Sequence, residues 1–170
     1  RVPVIKSPTT KPFDGTTPLF IQQVWANRND PVPLVSGIDA RLIEAEGKLQ
    51  TGDYAGMMTI LNALRTSAQT IGGKAIPAMA ALTVATPTTK DAAATLFFRE
   101  KGFWTFGRGQ RLGDLRRLVR QYGRTQDQAF PSGSFSFKIP GAVYGSDVNF
   151  PVTDNELTNP NFKGCIDRKA

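Results

Sequence analysis

The chain has 170 residues, enough for one domain with a real core though not obviously for two. Its hydrophobic fraction of 40% is ordinary for a folded protein, while twelve prolines and sixteen glycines point to substantial irregular structure. No apolar run approaches the roughly 18–20 residues needed to span a bilayer, and no signal-peptide pattern stands at the start, where Arg1-Val2-Pro3-Val4 reads as extended chain. Histidine is absent, which removes the usual general base and the commonest transition-metal ligand. The one cysteine, Cys165, can form neither an intrachain disulfide nor a Cys-rich zinc site by itself. A net charge of +7 leaves nucleic acid, an anionic membrane surface and an acidic partner open.

Residues 1–37 carry Pro3, Pro8, Pro12, Pro18, Pro31 and Pro33, so no regular helix is expected before Ser36. Short extended pieces are expected at Phe20–Trp25. The whole segment reads as an arm that packs on a body elsewhere. The first strong helix follows Ser36-Gly37, where Ser36 and Asp39 form a capping box with a shorter acid. Ile38, Leu42, Ala45 and Leu49 recur at helical spacing, with Arg41, Glu44 and Lys48 elsewhere on the wheel. Gly52 ends this helix and Asp53 caps the next, whose stripe is Tyr54, Met57, Met58, Leu61 and Leu64. The link Thr51-Gly52-Asp53 is short, so the two helices are predicted to pack as an antiparallel hairpin.

Residues 70–90, rich in Gly, Ala, Pro and Thr, read as a loop with a short helical turn around Ala78–Leu82. Asp91 opens a third helix running to about Phe106, with Leu96, Phe97, Phe103 and Trp104 as its stripe and Glu100 within it. A carboxylate on such a face needs a cation, because burying it alone costs several kcal/mol. Arg108, Arg111, Arg116 and Arg117 follow, and Arg111 is the predicted partner. A fourth helix is predicted over about Gly113–Tyr122. Asp114 lies at its positive end and Arg120 near its negative end, as the macrodipole favours. Leu115, Leu118, Val119 and Tyr122 form its apolar stripe, and Gly123 is its C-cap. Beyond it, Phe130-Pro-Ser-Gly, Ile139-Pro-Gly and Gly145-Ser-Asp suggest turns and one small hairpin. Asn159-Pro160-Asn161 reads as an ordered turn.

Several fragments invite a sharper reading and do not sustain it. Six arginines lie between Arg108 and Arg124, yet Leu112, Leu115, Leu118 and Val119 interleave at core spacing without the aromatic arrangement that stacks bases. Nucleic acid is therefore not an expected partner. Asp14-Gly-Thr and Gly145-Ser-Asp are common turn sequences. Gly107-Arg108-Gly109 lacks phosphate-loop spacing and follows a helix rather than a strand. No catalytic residue, metal ligand or cofactor is assigned. Trp104 is expected in the core, and Trp25 is the better candidate for a surface contact.

Three stretches, in order, resemble one family. The run Arg41-Leu-Ile-Glu-Ala-Glu, Leu49-Gln-Thr-Gly-Asp-Tyr-Ala and Leu61-Asn-Ala-Leu-Arg65 is similar to the last tetratricopeptide-like helix pair of SusD/RagB proteins. Leu96-Phe-Phe-Arg-Glu-Lys-Gly-Phe-Trp-Thr-Phe followed by Gln110-Arg-Leu-Gly-Asp-Leu-Arg-Arg117 resembles the family's Arg-Glu helix and its Gly-x-Arg-x-x-Asp-Leu-Arg-Arg turn. Gln110 stands here where the family often has Gly. Phe150-Pro-Val-Thr-Asp-Asn-Glu156 and Asn159-Pro-Asn161 resemble the closing segment. The wording of the last two is closer to SusD-like sequences of Gemmatimonadota than to those of gut Bacteroidetes. Together the stretches cover about residues 38–162.

The resemblance implies a mainly α fold: a tetratricopeptide-like helix hairpin plus further helices, with long irregular Pro/Gly-rich segments. It implies the C-terminal part of a SusD/RagB-like domain over residues 38–170, with 1–37 an extended Pro-rich arm packing on a missing N-terminal part. Family members are about three times longer and carry a secretion signal and a lipid-anchored cysteine. Cys165 would then pair with an upstream cysteine at the oxidising cell surface. The implied protein is a non-enzymatic outer-membrane lipoprotein that binds a glycan or other nutrient and caps a TonB-dependent, SusC-like transporter. It would be membrane-associated through a lipid anchor outside this chain. Family ligand contacts lie mainly in loops outside these motifs, so no ligand-binding residue is carried over. Arg99, Glu100, Arg111, Asp114, Arg116 and Arg117 are read as a structural ion-pair network locking the third and fourth helices. The alternative is an accessory structural subunit of another membrane or envelope complex built on the same helical-repeat fold.

Overall fold

The computed structural model describes residues 2–134, 141–145, 148 and 153–163. The chain divides into two compact units, residues 1–109 and 110–170. The described residues are helix-rich, with strands limited to two short ribbons.

The first unit opens with β1 (Val4–Lys6) and β2 (Phe20–Gln22), an antiparallel ribbon in which Ile5 faces Ile21. The turn between them is fastened by Asp14, whose carboxylate accepts hydrogen bonds from the Thr16 and Thr17 backbone N–H groups and the Thr17 hydroxyl. The extended piece expected at Phe20–Trp25 thus becomes a three-residue strand, paired with a second strand near the start.

Next come α1 (Gly37–Gln50) and α2 (Tyr54–Thr66). Ser36 and Asp39 make the predicted capping box, each side chain receiving the other's backbone N–H. Gly52 takes a φ of +80° at the end of α1, and Asp53 accepts the Gly56 N–H to start α2. Ile38, Leu42, Ala45 and Leu49 of α1 are buried, as are Met57, Met58, Leu61 and Leu64 of α2, and the two helices pack on each other as a hairpin. Each Leu or Met buried here stabilises the fold by about 1.5–3 kcal/mol.

Residues 70–90 depart from the predicted loop. They begin with a hairpin of β3 (Gln69–Ile71) and β4 (Lys74–Ile76), joined by Gly72 and Gly73 at φ +55° and +77°. Two consecutive positive φ values suit the twist of a two-residue hairpin turn, and Ile71 and Ile76 are buried at its ends. The predicted helical turn around Ala78–Leu82 does not form. Instead Met79 N–H donates to the Arg65 carbonyl at 2.7 Å, and Leu82 N–H donates to Asn62 Oδ1 at 2.8 Å. Backbone donors spent on the end of α2 cannot also close a helical turn.

The helix α3 (Lys90–Trp104), capped by Thr89, packs on α1 and α2. Leu96, Phe97 and Trp104 are buried as predicted, but the fourth apolar position is Phe98 rather than Phe103, which is 43% exposed. Phe97 and Phe98 meet edge to face at 5.1 Å.

Residues 1–37 belong to this unit, and their inner contact is Trp25. Its half-buried indole lies against two glycines, with part of the ring still at the surface. A Cβ on Gly107 would stand 2.5 Å from the indole ring, and one on Gly72 would stand 2.6 Å from the Pro31 carbonyl and 3.2 Å from the indole nitrogen. The preceding residue, Val24, is 1% exposed.

The second unit contains α4 (Arg111–Arg120), α5 (Gln126–Ala129) and α6 (Asp154–Leu157). The first of these starts two residues earlier than predicted and buries Asp114, Leu115 and Leu118, while Val119 and Tyr122 are half-buried. Thr125 and Gln128 form a capping box on α5. The hairpin expected after Phe130 is represented by a bridge between Ser134 and Val143, with Tyr144 N–H donating to the Gly133 carbonyl. The turn at Asn159–Asn161 forms, closed by Phe162 N–H on the Asn159 carbonyl and Asn161 N–H on Asn159 Oδ1. Phe150, Pro151, Val152 and Cys165 lie outside the described residues.

Gly107 and Gly109 provide a matched pair of substitutions. Both have positive φ, +70° and +73°, but a Cβ at Gly109 meets nothing within 4 Å. Gly109→Ala is expected to lose only the left-handed backbone cost, about 1–2 kcal/mol. Gly107→Ala adds the clash with Trp25 and is expected to lose a further 1–3 kcal/mol, roughly. Denaturant unfolding followed by circular dichroism measures both, and equal losses would contradict the Trp25 seat.

Candidate functional site

One buried charge pair of the first unit lies at the end of α2. Glu100, on the inner face of α3, is 0% exposed. Its Oε2 accepts a hydrogen bond from Arg65 Nη1 at 3.2 Å, and the Arg65 side chain is itself only 16% exposed. Arg65 Nε donates to the Ala80 carbonyl at 2.9 Å, while its own backbone carbonyl takes the Met79 N–H. One arginine therefore ties α2, α3 and the segment 79–82 together. Arg65 lies 35 residues upstream of Glu100, outside the arginine run in which Arg111 was the expected partner; Arg111 itself belongs to the second unit. The usable signal was the Leu61-Asn62-Ala63-Leu64-Arg65 stretch, whose two polar residues both turn out to hold the 79–82 strap.

Of the six residues read as a network, Arg99 and Glu100 lie in this unit. Arg99 Nη2 stands 3.9 Å from Glu100 Oε1, but its side chain is 53% exposed, so the contact is largely screened. Arg111, Asp114, Arg116 and Arg117 belong to the second unit. There Asp114 is buried, and Arg117 Nη1 lies 3.8 Å from its Oδ1, one turn along α4. Arg117 also donates from Nε to Gln121 Oε1 at 3.1 Å.

A second buried ion pair joins Asp39 to Arg108. Nη1 and Nη2 of Arg108 reach Oδ1 and Oδ2 at 2.9 and 2.8 Å, the two-pronged geometry that favours arginine over lysine. Burial pushes the Asp39 carboxyl up, but hydrogen bonds from Arg108 and Ser36 outweigh it and hold the pKa below the ordinary 3.8. The same carboxylate thus caps α1 and fixes the turn after α3. On the surface, Lys48 and Asp53 meet at 2.9 Å across the hairpin link.

Beside the Arg65 hub lies an open groove of about 560 Å³. Val2, with Val4, Phe20 and Gln22 of the first ribbon, forms one wall, Phe103 and Phe106 another, and Arg65 and Met79 complete the lining. Arg65 Nη2 has no hydrogen-bond partner among the described residues. The lining brings together no nucleophile and base. Among the described residues no cluster of His, Cys, Asp and Glu could hold a metal ion, and no helix is long and apolar enough to cross a membrane. No protein-family model, curated protein or solved structure matches the chain.

Two variants test the charges. Glu100→Gln strands the largely buried guanidinium of Arg65 and is expected to cost about 3 kcal/mol in chemical unfolding, whereas Arg99→Ala is expected to cost less than about 0.5 kcal/mol. A loss below about 0.5 kcal/mol for Glu100→Gln would remove the hub. Asp39 supplies the pH dependence. Because its folded pKa is depressed, its contribution is fully present above the unfolded value of 3.8 and is lost as pH falls through the folded value. The stability gap between the parent and Asp39→Asn should therefore be constant above about pH 5 and shrink as pH falls below about 4. Denaturation midpoints at stepped pH check this; a gap unchanged down to pH ~2 would refute it.

Proposed function

We propose that this chain is the C-terminal part of a SusD/RagB-like, Gemmatimonadota-like outer-membrane lipoprotein. Its α1–α2 hairpin would be the last tetratricopeptide-like pair, and it would act by binding a glycan or other nutrient and capping a TonB-dependent transporter. The reading rests on three ordered motifs. One observation gives them physical substance: Arg65 closes the first motif, Glu100 lies in the second, and the two are joined by a buried ion pair. Residues that carry the likeness are therefore residues that hold helices together. In this reading Arg99, Glu100, Arg111, Asp114, Arg116 and Arg117 serve the scaffold, the work is binding and lid movement without chemistry, and the protein sits at the outer membrane through a lipid anchor outside this chain.

The test is affinity capture of the full native polypeptide from detergent-solubilised membranes of its source cell. Recovery of a TonB-dependent barrel is the expected result. Recovery of a different membrane assembly would replace the transporter reading with that of an accessory subunit. Tight, salt-sensitive binding to single- or double-stranded nucleic acid would overturn both.

A further inference from the structure

The ribbon of β1 and β2 leaves half of its backbone groups facing outward. Ser7 N–H donates to the Leu19 carbonyl and Gln23 N–H to the Pro3 carbonyl, both at 2.8 Å, on either side of the Ile5–Ile21 pair. Antiparallel strands alternate the direction of their backbone groups residue by residue. Val4, Lys6, Phe20 and Gln22 therefore turn their N–H and C=O groups away from the ribbon. On β2, the Phe20 N–H and C=O and the Gln22 N–H have no partner among the described residues, and the Gln22 carbonyl meets the Gln23 side-chain amide at 3.2 Å. The side chains are open too: Ile5, Phe20 and Ile21 are 56%, 58% and 47% exposed. A row of unpaired donors and acceptors at strand spacing fits one kind of occupant, another extended backbone.

Charge separates the two edges. β1 carries Lys6 and is followed by Pro8, and lysine and proline are devices that keep an edge from pairing. β2 lies in a stretch, Leu19 to Val24, that carries no charge. Two copies of a chain with net charge +7 can meet there without setting like charges opposite each other. We propose that the outer edge of β2 pairs with β2 of a second copy, antiparallel about a two-fold axis at Ile21. Phe20 of each copy lies opposite Gln22 of the other in the hydrogen-bonded positions, and Ile21 lies opposite its own counterpart. Ile5 already faces Ile21 within each ribbon, so the joined sheet carries an unbroken row of isoleucines on the face away from the groove. Pro18, which lacks an N–H, and Val24, which is buried, end the ladder on either side. So short a contact falls below the roughly 1,200–2,000 Å² of a tight complex, and the dimer is weak. Neither strand lies in the matched motifs, so transporter capture and self-association are tested separately.

Sedimentation velocity of the 170-residue chain, from about 10 μM to about 1 mM, supplies the test. The expected result is a monomer–dimer equilibrium with a dissociation constant on the order of 100 μM, the mass rising from 18.5 kDa toward twice that value. Because the contact is uncharged while each copy carries +7, added salt should strengthen association, the reverse of an ion-paired interface. Ile21→Lys places two charges at the axis, and Phe20→Pro removes an outward N–H while sparing the ribbon's own bonds. Each should weaken association at least about tenfold. Lys6→Pro makes the same backbone change on the outer edge of β1 and should leave association within about twofold. In a Cys165→Ser background, copies bearing Ile21→Cys should cross-link under diamide, because the Cα atoms of such a pair lie about 4.5 Å apart, within disulfide range. Copies bearing Ile5→Cys, one strand further out on each side, should not. Circular dichroism checks the fold of each variant. A chain that stays monomeric throughout, full association in a folded Ile21→Lys or Phe20→Pro variant, or cross-linking through Ile5→Cys instead would each overturn the proposal. A full native polypeptide that stays monomeric where the 170-residue chain dimerises would give the edge to another strand of that polypeptide, and would overturn it as well.

Discussion

The first unit is organised around a carboxylate that water does not reach. Glu100 sits on the packed face of α3, where an unpaired charge would cost several kcal/mol. That cost makes the position of Arg65 a condition of the fold rather than an ornament of it. Once Arg65 is drawn to Glu100, α2 and α3 have a fixed relation. The same side chain also takes the Ala80 carbonyl, so the Pro-rich passage between them is fixed as well. Apolar burial supplies most of the stabilisation, but it is tolerant of small slides along a helix. An ion pair with hydrogen-bond geometry is not.

How far the sequence revealed this depends on the distance over which each signal acts. The α1–α2 hairpin was readable almost to the residue, because Ser36, Asp39, Gly52 and Asp53 act within three or four positions of themselves. The apolar face of α3 was read correctly at Leu96, Phe97 and Trp104 but exchanged Phe98 for Phe103; with aromatic residues on both sides of the helix, periodicity alone cannot choose the inner one. The Gly72-Gly73 turn was present as a hairpin signal and was overlooked within a stretch dominated by Ala, Pro and Thr. The absence of a helical turn at 78–82 was not readable locally, since the acceptors that claim its donors lie on α2. The need for a cation at Glu100 followed from one residue; which cation met it depended on tertiary structure.

The candidate site shows the same division. Glu100 was legible as a carboxylate in need of a cation and Asp114 as an acid at the positive end of its helix, but the contacts of Arg99 with Glu100 and of Arg117 with Asp114 were not singled out within the six-residue network. Asp39 was legible as a cap, but its second role, holding Arg108 from 69 residues away, was not. The groove escaped the sequence entirely. Its walls come from strands near the start, from the strap after β4 and from the end of α3, and no local pattern links Phe20 to Phe103. The run of arginines drew attention because it is contiguous, whereas the buried pairs of the first unit use arginines at its edge or outside it.

Trp25 and Trp104 are the only tryptophans in the chain, and both lie in the first unit. One is enclosed in the core and the other rests half-covered on Gly72 and Gly107. Intrinsic fluorescence therefore carries two spectrally distinct voices from residues 1–109 and none from tryptophan in 110–170. Loosening of the arm would shift the redder emission alone, while melting of the helices would shift both. With tryptophan excited selectively, the second unit, whose fluorophores include Tyr122 and Tyr144 but no tryptophan, would contribute nothing in either case.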